Sequence, residues 1–315
     1  MNYIGHFNFT PKNTPLQSVK IKHTSNRIFV KRDDLTGIEL SGNKVRKLDF
    51  LLKDAVQQGA KRIITCGGLQ SNHCRTTAFM AAKLGLKTTL VLKGHPPPKV
   101  TTGNYLLSKL VDADIKIITE EEYRQVDEIM EGLAGKYSEK SYIIPEGGSN
   151  ALGAWGYVKA FEEMVNQLPD VDVIVIPTGS GGTHAGLLLG KWLTGHACQI
   201  VSVNVCDSAA FFKKKIASIL SDFRDRFVPH LEIKEDEIEI VDGFVGPGYG
   251  KATARETEVI KRVARNYGFV LDPVYTAKAW LGFENLLEQD RWSSKKIIFV
   301  HTGGIFGLFA YGHLF

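Results

Sequence analysis

A chain of 315 residues with 43% hydrophobic and 23% charged residues has a globular composition and is long enough for one large or two medium domains. Its 39 basic and 34 acidic residues leave a net charge of +5, and the basic residues are dispersed apart from Lys213–Lys215, which argues against nucleic-acid binding. No apolar stretch reaches the roughly 20 residues needed to cross a bilayer, and the N-terminal residues lack the pattern of a signal peptide. We therefore expect a cytoplasmic protein that binds neither nucleic acid nor membranes.

Metal binding and disulfide bonding are also not indicated. The cysteines at positions 66, 74, 198 and 206 form neither a C-x-x-C pair nor a set with zinc-ligand spacing, and a chain of this length does not need disulfides to fold. His73 and His184 follow loops without a paired ligand, so structural histidines are the expected interpretation. We expect no bound metal.

Strand and helix patterns alternate along the whole chain. After an irregular start through Pro15, apolar or β-branched runs predict strands at 27–31, 62–66, 87–92, 115–118, 142–144, 173–176, 200–205, 238–241 and 296–301. Helices are predicted to cover 104–111 and 152–168, and another is predicted to end at 85. Further helices are predicted to begin at 44, 120 and 252 and shortly after 183 and 209. Residues 95–98, with three consecutive prolines, are predicted to be a linker. The alternation predicts an α/β fold with parallel sheets, and so many units favour two open, twisted α/β layers with a cleft between them.

The first strongly periodic helix is predicted to begin at Lys44. Its apolar stripe recurs with a 3.6-residue period at Val45, Leu48, Leu52 and Ala55. Gly42 frees the preceding turn, and Asn43 is predicted to cap the helix. The partial positive charge of the helix N-terminus, with some desolvation, is expected to lower the pKa of Lys44 and leave more of the nucleophilic free amine. This segment by itself favours a solvated lysine on an exposed first turn.

A glycine-rich loop at Thr178–Thr183 follows the most apolar strand, at 173–176. Its backbone N–H groups at a helix N-terminus, with the hydroxyls of Thr178, Ser180 and Thr183, suit a phosphate group. No Gly-Lys-Ser/Thr follows as in a Walker A loop, and glycine is missing where the dinucleotide pattern requires it. The loop therefore indicates a monophosphate rather than ATP or NAD, although a tight turn alone explains it about as well.

Three further polar loops follow predicted strands, namely the loop before Lys44, Gln70–His73 and His301–Gly304. Ligands of open α/β sheets bind beyond the carboxyl ends of the strands, where these loops lie. The helix N-terminus at 71–73 suits a substrate carboxylate, and Ser71 is a candidate nucleophile or proton carrier, although no hydrolase triad spacing accompanies it. A lysine at a loop mouth, a monophosphate site and a carboxylate site together indicate pyridoxal phosphate chemistry on an amino acid.

Seven segments carry a resemblance to a known family. They are Ser41–Lys47, Gly67–Arg75, Ile144–Gly153, Thr178–Gly186, Gly246–Gly250, Leu271–Thr276 and His301–Gly304. In this order they resemble the D-cysteine desulfhydrase and 1-aminocyclopropane-1-carboxylate (ACC) deaminase family of fold-type II (tryptophan synthase β-like) pyridoxal phosphate enzymes. The resemblance extends from about Lys31 to Tyr311. It implies a cofactor in the cleft, a homodimer, and a smaller domain at 51–150 inserted into a larger cofactor domain formed by 1–50 and 151–315.

The resemblance also implies roles for individual residues. The implied catalytic residues are Lys44, which is the Schiff-base lysine and removes the Cα proton, Ser71, Tyr249 and Tyr275. Asn72 is implied to bond the phenolic oxygen of the cofactor, and Ser71, Asn72 and His73 to bind the substrate carboxylate. The implied cofactor-binding residues are Lys44, Lys47 as a phosphate countercharge, Asn72, Thr178, Gly179, Ser180, Gly181, Gly182, Thr183, Thr276 and Thr302.

The residue after the second tyrosine separates the two activities of the family. ACC deaminases have a glutamate there, which faces the pyridine nitrogen, whereas D-cysteine desulfhydrases have a threonine, and this chain has Thr276. A carboxylate strengthens the electron sink more than a hydroxyl does, and opening a cyclopropane depends on strong electron withdrawal. Ala277, Ile305 and Phe306 depart from the family pattern, and we expect them to change the substrate preference if they line the pocket.

The leading hypothesis is therefore a lyase that converts D-cysteine to pyruvate, ammonia and hydrogen sulfide by β-elimination. An ACC deaminase that forms 2-oxobutanoate and ammonia is the first alternative, and a lyase for another β-substituted amino acid is the second. A catalytically silent pyridoxal phosphate-binding protein is the alternative outside the enzymes. A small amino acid is the expected partner in every enzymatic case.

Overall fold

A computed structural model of the chain describes residues 3–11, 13–94 and 99–315, so the predicted proline linker at 95–98 lies outside the described residues. The strands are β1 (Leu16–Val19), β2 (Arg27–Arg32), β3 (Arg62–Gly68), β4 (Lys87–Lys93), β5 (Asp114–Ile118), β6 (Ser141–Ile143), β7 (Val173–Thr178), β8 (Gln199–Asn204), β9 (Glu239–Val241) and β10 (Lys296–His301). The helices are α1 (Lys44–Gln57), α2 (Asn72–Lys83), α3 (Gly103–Leu110), α4 (Val126–Ala134), α5 (Ala151–Gln167), α6 (Gly182–Thr194), α7 (Ala209–Phe227), α8 (Ala254–Tyr267), α9 (Thr276–Glu288) and α10 (Ile305–Leu308).

The strands form two twisted sheets, which confirms the predicted α/β class with two layers. One sheet has six strands in the order β1-β2-β10-β7-β8-β9, and the other has four in the order β5-β4-β3-β6. Every pairing is parallel except that of β1 with β2. The run at 173–176 lies in β7, a wholly buried strand with parallel neighbours on both sides, as expected for a continuous apolar run in a parallel sheet.

Local signals missed or misplaced a few elements. The short edge strand β1 was not predicted, because its register with β2 comes from pairing rather than from its own pattern. The helix predicted from Glu120 begins only at Val126, after a turn of 3-10 helix. The helix predicted up to 85 is α2, in which Ala78 and Ala81 are buried and Ala82 is exposed. The short helix α10 also follows the last loop without a sequence signal.

The proposed domain boundaries stay a prediction. All four strands of the smaller sheet come from residues 62–143, and the larger sheet takes strands from both flanking segments. This strand membership supports an inserted domain at 51–150. The first boundary, however, lies inside α1, whose apolar side chains belong to the same core as Ile63, Met80 and Ala81.

Helix α1 is held by its apolar stripe and by buried charges. Val45, Leu48, Leu52 and Ala55 are fully buried as predicted, and burial of each of the larger side chains contributes about 1.5–3 kcal/mol. The guanidinium of Arg46 pairs with Asp33 at 2.7 Å and with Glu163 at 2.8 Å, all three buried. Two buried carboxylates raise the pKa of Arg46, so the cation is fixed. The cluster anchors the first turn of α1, where Lys44 lies, to the chain before it and to α5.

Among the described residues, no helix combines the length and apolarity required to cross a membrane.

Candidate active site

A cavity lies at the carboxyl ends of β3, β7 and β10 and at the start of α1, between the two sheets. Its lining comes from all four loops that the sequence analysis singled out. The lining residues are Asn43, Lys44, Gly67, Ser71, Asn72, His73, Glu146, Gly147, Pro177, Thr178, Gly179, Ser180, Gly181, Thr183, His184, Tyr249, Tyr275 and Thr302. Of the predicted site residues, Lys47, Gly182 and Thr276 do not line the cavity.

Lys44 reaches the cavity from the first turn of α1. Its Nζ donates to Asn43 Oδ1 at 3.0 Å, and burial lowers the pKa of Lys44 to about 8 against the opposing charges of Glu146 and Asp272. Desolvation is therefore the main cause, ahead of the helix charge emphasised from the sequence. The predicted side-chain cap by Asn43 is wrong, because its Nδ2 donates instead to Thr183 Oγ1 at 3.1 Å. Asn43 thus connects the amine to the Thr178–Thr183 loop.

The Thr178–Thr183 loop carries the chain from β7 into α6. Gly181 has φ of +83°, a conformation that glycine adopts without strain, and the turn aims the first N–H groups of α6 at the cavity. Thr178 Oγ1 is buried without a hydrogen-bond partner among the described residues. Ser180 Oγ accepts from Ser149 Oγ at 2.9 Å. The loop has the donors and the helix N-terminus that an anion site requires.

Lys47 lies behind this loop rather than in the cavity. Its fully buried Nζ donates to Gly147 O at 3.3 Å and to Ser149 Oγ at 3.2 Å. A Cβ built on Gly182 would be 2.9 Å from this Nζ, so the amine is adjacent to the loop backbone. Burial lowers the pKa of Lys47 well below its usual range. A contribution of Lys47 to phosphate binding therefore acts across the loop.

The Ser71–His73 loop begins α2. Ser71 Oγ caps the helix by accepting from Cys74 N at 3.1 Å. Burial holds the pKa of His73 well below its usual range, so its ring is neutral. Thr65 Oγ1 donates to Ile144 O and therefore accepts from His73 Nε2, at 2.8 Å in both cases, which leaves a lone pair on Nδ1. Nδ1 of His73 therefore cannot donate to a carboxylate, whereas the backbone N–H groups at this helix N-terminus would suit one.

Tyr249 and Tyr275 share one wall of the cavity. Their hydroxyl oxygens are 2.7 Å apart, and burial raises the pKa of both phenols, so both are neutral at physiological pH. A Cβ on Gly179 would be 3.1 Å from Tyr275 Cε1, so glycine allows the ring to close against the Thr178–Thr183 loop. Lys44, the Thr178–Thr183 loop and the two tyrosines therefore surround one space.

Thr276 is bonded to Asp272, and its expected role towards the cofactor stays a prediction. Its side chain is fully buried outside the cavity lining, and its Oγ1 donates to Asp272 Oδ1 at 2.8 Å while accepting from Asp272 N at 2.7 Å. Thr302 does line the cavity. It follows β10, which lies between β2 and β7 in the sheet, and its backbone oxygen accepts from Asn43 N at 3.0 Å.

The three departures from the family pattern also lie outside the lining. Ala277, in the first turn of α9, is fully buried in the core. Ile305 and Phe306 are partly buried in α10, and the Phe306 ring lies 5.2 Å from the Arg75 guanidinium carbon. These three residues were expected to alter the substrate preference if they line the pocket, and they are not among its lining residues.

Two chemically relevant lining residues were not assigned a role from the sequence. Glu146 accepts a hydrogen bond from the Tyr123 hydroxyl at 2.7 Å and raises the pKa of Lys44 through its charge. His184 had been interpreted as structural, and its Nδ1 does lie 2.9 Å from Ser202 Oγ. Its Nε2, however, has no partner among the described residues, and burial lowers its pKa to about 3. The polar run after the 142–144 strand was the available signal for Glu146, whereas His184 had none.

Comparison with known proteins identifies the family. The sequence model of the family of pyridoxal-phosphate dependent enzymes matches residues 8–303. The chain belongs to this family. Its cofactor is pyridoxal phosphate, as expected from the sequence.

Two curated relatives and one solved structure are similar over most of their length. A Thermotoga maritima protein, provisionally named a 1-aminocyclopropane-1-carboxylate deaminase, is 46% identical over 95% of this chain and 96% of its own. The Arabidopsis thaliana mitochondrial bifunctional D-cysteine desulfhydrase/1-aminocyclopropane-1-carboxylate deaminase is 40% identical over 90% of this chain and 73% of its own. The crystal structure of an ACC deaminase homologue has a TM-score of 0.89 at 35% identity, covering 98% of this chain and 94% of that one.

The residues of the cavity fit pyridoxal phosphate. The unpartnered Thr178 Oγ1 and the N-terminus of α6 suit its phosphate. Lys44, with a pKa of about 8, offers the amine that the aldehyde requires. No group of residues able to hold a metal ion occurs in the described part of the chain.

Proposed function

We propose that this enzyme catalyses a pyridoxal phosphate-dependent β-elimination on a small amino acid, with D-cysteine as the preferred substrate and pyruvate, ammonia and hydrogen sulfide as products. The observation that carries the proposal is the partly desolvated Lys44, with a pKa of about 8, between a phosphate-binding loop and a carboxylate-binding loop. Bound pyridoxal phosphate supplies an electron sink for the electrons of the substrate Cα–H bond. The substrate itself is proposed from the Arabidopsis relative, whose name includes D-cysteine desulfhydration.

We assign the proton transfer at the substrate Cα to Lys44. A lysine with an ordinary pKa near 10.4 is almost entirely protonated at neutral pH, whereas a pKa of about 8 leaves a useful fraction of free amine. Asn43 Oδ1 accepts a hydrogen bond from Nζ and so orients the amine. The carboxylates of Glu146 and Asp272 oppose a further fall of the pKa, which keeps the group able both to accept and to return a proton.

The remaining lining residues hold the substrate. The N-terminus of α2 offers the backbone N–H groups of the Ser71–His73 loop to the substrate carboxylate. The neutral Tyr249–Tyr275 pair provides hydroxyl donors at the same cavity. We assign to this pair the proton that the departing thiolate takes up. Ser71 is occupied as the cap of α2, so we propose a positioning role for it.

We propose β-elimination over ACC ring opening because position 276 carries a hydroxyl and not a carboxylate. Thr276 is bonded to Asp272 and does not line the cavity, and Thr302, which does, belongs to a motif common to both activities. A neutral hydroxyl beside the cofactor ring strengthens the electron sink less than a carboxylate does, and expulsion of thiolate needs less electron withdrawal than opening a cyclopropane. ACC deamination stays the alternative, since both names occur among the relatives.

The decisive experiment is an amino-acid screen of the pyridoxal phosphate-loaded enzyme. The panel contains D-cysteine, L-cysteine, ACC, β-chloro-D-alanine and D-serine, and Lys44→Ala serves as the blank. Sulfide and pyruvate from D- but not L-cysteine are expected. Formation of 2-oxobutanoate from ACC as the main product would replace the proposed substrate, and turnover of none of the panel would favour a silent cofactor-binding protein.

We also propose a cytoplasmic homodimer. The exposed apolar side chains Leu106 and Leu110 of α3 lie one helical turn apart, and Phe309 is exposed just after α10, which contacts α3; such side chains are typical of an interface between subunits. Sedimentation of wild type and Leu110→Glu tests the dimer. The four cysteines are buried free thiols, which suits a reducing compartment.

A further inference from the structure

The amide of Asn72 is held by a residue from a different helix. Asn104, on the first turn of α3, donates from Nδ2 to Asn72 Oδ1 at 2.8 Å and to Gln70 O at 2.9 Å. Asn104 is almost completely buried, whereas Asn72 lines the cavity. The contact therefore connects a buried side chain of α3 with the Asn72 amide at the cavity surface.

The polarity of this contact is set by Arg75. Its Nε donates to Asn104 Oδ1 at 3.0 Å, and a guanidinium has donors only. The oxygen of the Asn104 amide must therefore face Arg75, and its nitrogen must face Asn72 and Gln70. An amide nitrogen is likewise only a donor, so Asn72 has to present Oδ1 to Asn104. The orientation of both amides follows from one cation.

Asn72 Nδ2 is consequently the atom left for the cavity. Among the described residues, it donates to no other protein group. The phenolic oxygen of pyridoxal phosphate carries negative charge and accepts hydrogen bonds, so it matches a donor and not a carbonyl oxygen. An Asn72 amide turned by half a rotation would repel the same oxygen.

Arg75 and Asn104 are themselves fixed on several sides. The buried guanidinium of Arg75 donates to Glu39 O at 2.7 Å and to Ser41 O at 2.8 Å, in the loop before Lys44. The side chain of Gln70 accepts from Asn104 N at 2.9 Å. A Cβ on Gly103 would lie 2.5 Å from Gln70 Oε1, so glycine there permits the close approach.

We propose that Asn104 and Arg75 are positioning residues that orient the Asn72 amide, so that its Nδ2 donates to the phenolic oxygen of pyridoxal phosphate. The inference rests on the proposed function, because it takes Asn72 as a ligand of the cofactor. Arg75 also contacts the loop before Lys44. Arg75 and Asn104 therefore fix the position of the Asn72 donor relative to the loop that precedes Lys44.

Asn104→Asp is the discriminating variant. A carboxylate at 104 keeps its acceptor for Arg75 but offers a second acceptor to Asn72, so the Asn72 amide must turn and direct Oδ1 into the cavity. The variant loses the bond to Gln70 O, because a carboxylate oxygen cannot donate to it, and gains an ion pair with Arg75. Ser108→Ala is the matched control, because Ser108 Oγ bonds Asn104 O on the same helix, at 2.9 Å, and no other group in the part of the chain that the structure describes.

The readout is the equilibrium affinity of the cofactor-free protein for pyridoxal phosphate, followed by fluorescence. Loss of a hydrogen bond to a charged group predicts affinities weakened on the order of 10- to 100-fold for Asn104→Asp and for Asn72→Ala. The double variant is expected to match Asn72→Ala alone, because the proposed effect of Asn104 on the cofactor passes through Asn72. Ser108→Ala is expected to bind like wild type, and thermal unfolding checks that all variants fold.

An Asn104→Asp effect that persists undiminished in the Asn72→Ala background would overturn the inference and leave a general structural role for Asn104. Unchanged affinity in Asn72→Ala would also overturn it, while the proposed reaction stands if the amino-acid screen succeeds. If the affinities are as predicted but the amino-acid screen shows no turnover, the inference about Asn104 and Arg75 is supported and the proposed reaction is refuted.

Discussion

The hydroxyl oxygens of Tyr249 and Tyr275 lie 2.7 Å apart, and their rings meet edge to face. Tyr275 directly precedes α9, whereas Tyr249 belongs to the loop at 244–250. The buried Lys278 of α9 donates to Val245 O at 2.6 Å and to Gly248 O at 3.0 Å in this loop. Helix α9 therefore holds both partners of the pair, one in its own N-cap and one through a lysine.

Removing either hydroxyl of this pair tests its shared role. Tyr249→Phe and Tyr275→Phe are each expected to lower kcat about 10- to 100-fold, because the remaining hydroxyl loses its partner and the departing group loses a proton donor. The double variant should lose much less than the product of the single effects. Steady-state kinetics of the four proteins on D-cysteine measure this. Independent, multiplicative losses would show that the two hydroxyls act separately.

Lys44→Ala is expected to reduce turnover at least about a thousandfold, since no other lysine of the described residues lines the cavity to condense with the cofactor aldehyde or to move the Cα proton. The fold should persist, because the first turn of α1 is anchored by Arg46. Lys53→Ala on the same helix is the matched control and should stay active. Borohydride trapping with peptide mass spectrometry locates the reactive lysine. Near-normal activity in Lys44→Ala would transfer the role to another amine.

Capture of pyridoxal phosphate should depend on pH through Lys44. Its pKa is lowered to about 8, so the free amine is minor below that pH, about half at it, and dominant above. The rate of imine formation with the cofactor-free protein should therefore rise through a midpoint near 8. Glu146→Gln removes the carboxylate that raises this pKa and should shift the midpoint to lower pH. A midpoint near that of free lysine would contradict the desolvation of Lys44.

Thr276→Glu is expected to destabilise the protein without conferring ACC deaminase activity. The new carboxylate would be buried beside Asp272, whose pKa is already raised by burial, and the two hydrogen bonds of Thr276 Oγ1 to Asp272 would be lost. Thr276→Ser, which keeps the hydroxyl, should behave like wild type. Thermal unfolding and a 2-oxobutanoate assay check both effects. A stable glutamate variant that turns over ACC would instead indicate that position 276 reaches the cofactor ring.

Arg46→Ala should lower the free energy of unfolding by about 3–5 kcal/mol, because it leaves the buried carboxylates of Asp33 and Glu163 without their shared cation. Arg226→Ala, which breaks the exposed ion pair with Asp222, should cost less than about 1 kcal/mol. Denaturant unfolding of the two variants measures the difference. Equal losses would mean that the buried cluster does not anchor α1.

Most of the architecture was predictable because its signals are local. The strand at 173–176 is a continuous apolar run, and the apolar stripe of α1 repeats every 3.6 residues. The burial of each element can therefore be predicted from its own residues. The edge strand β1 was missed because it depends on pairing with β2. The delayed start of α4 was missed because a turn of 3-10 helix precedes it. The ordered motifs also predicted the family, and with it the cofactor.

The sequence by itself determined the α/β class, the candidate lysine and the loops expected to lie around that lysine. Periodicity and loop chemistry depend on residues that are neighbours in the sequence. Only the tertiary structure decided that Lys44 is desolvated, that Thr276 turns to Asp272 instead of the cavity, and that His73 presents a lone pair. It also showed that Arg75 and Asn104 reach Asn72 from a different helix. Burial and hydrogen-bond polarity are set by atoms distant in sequence, so no local pattern contains them.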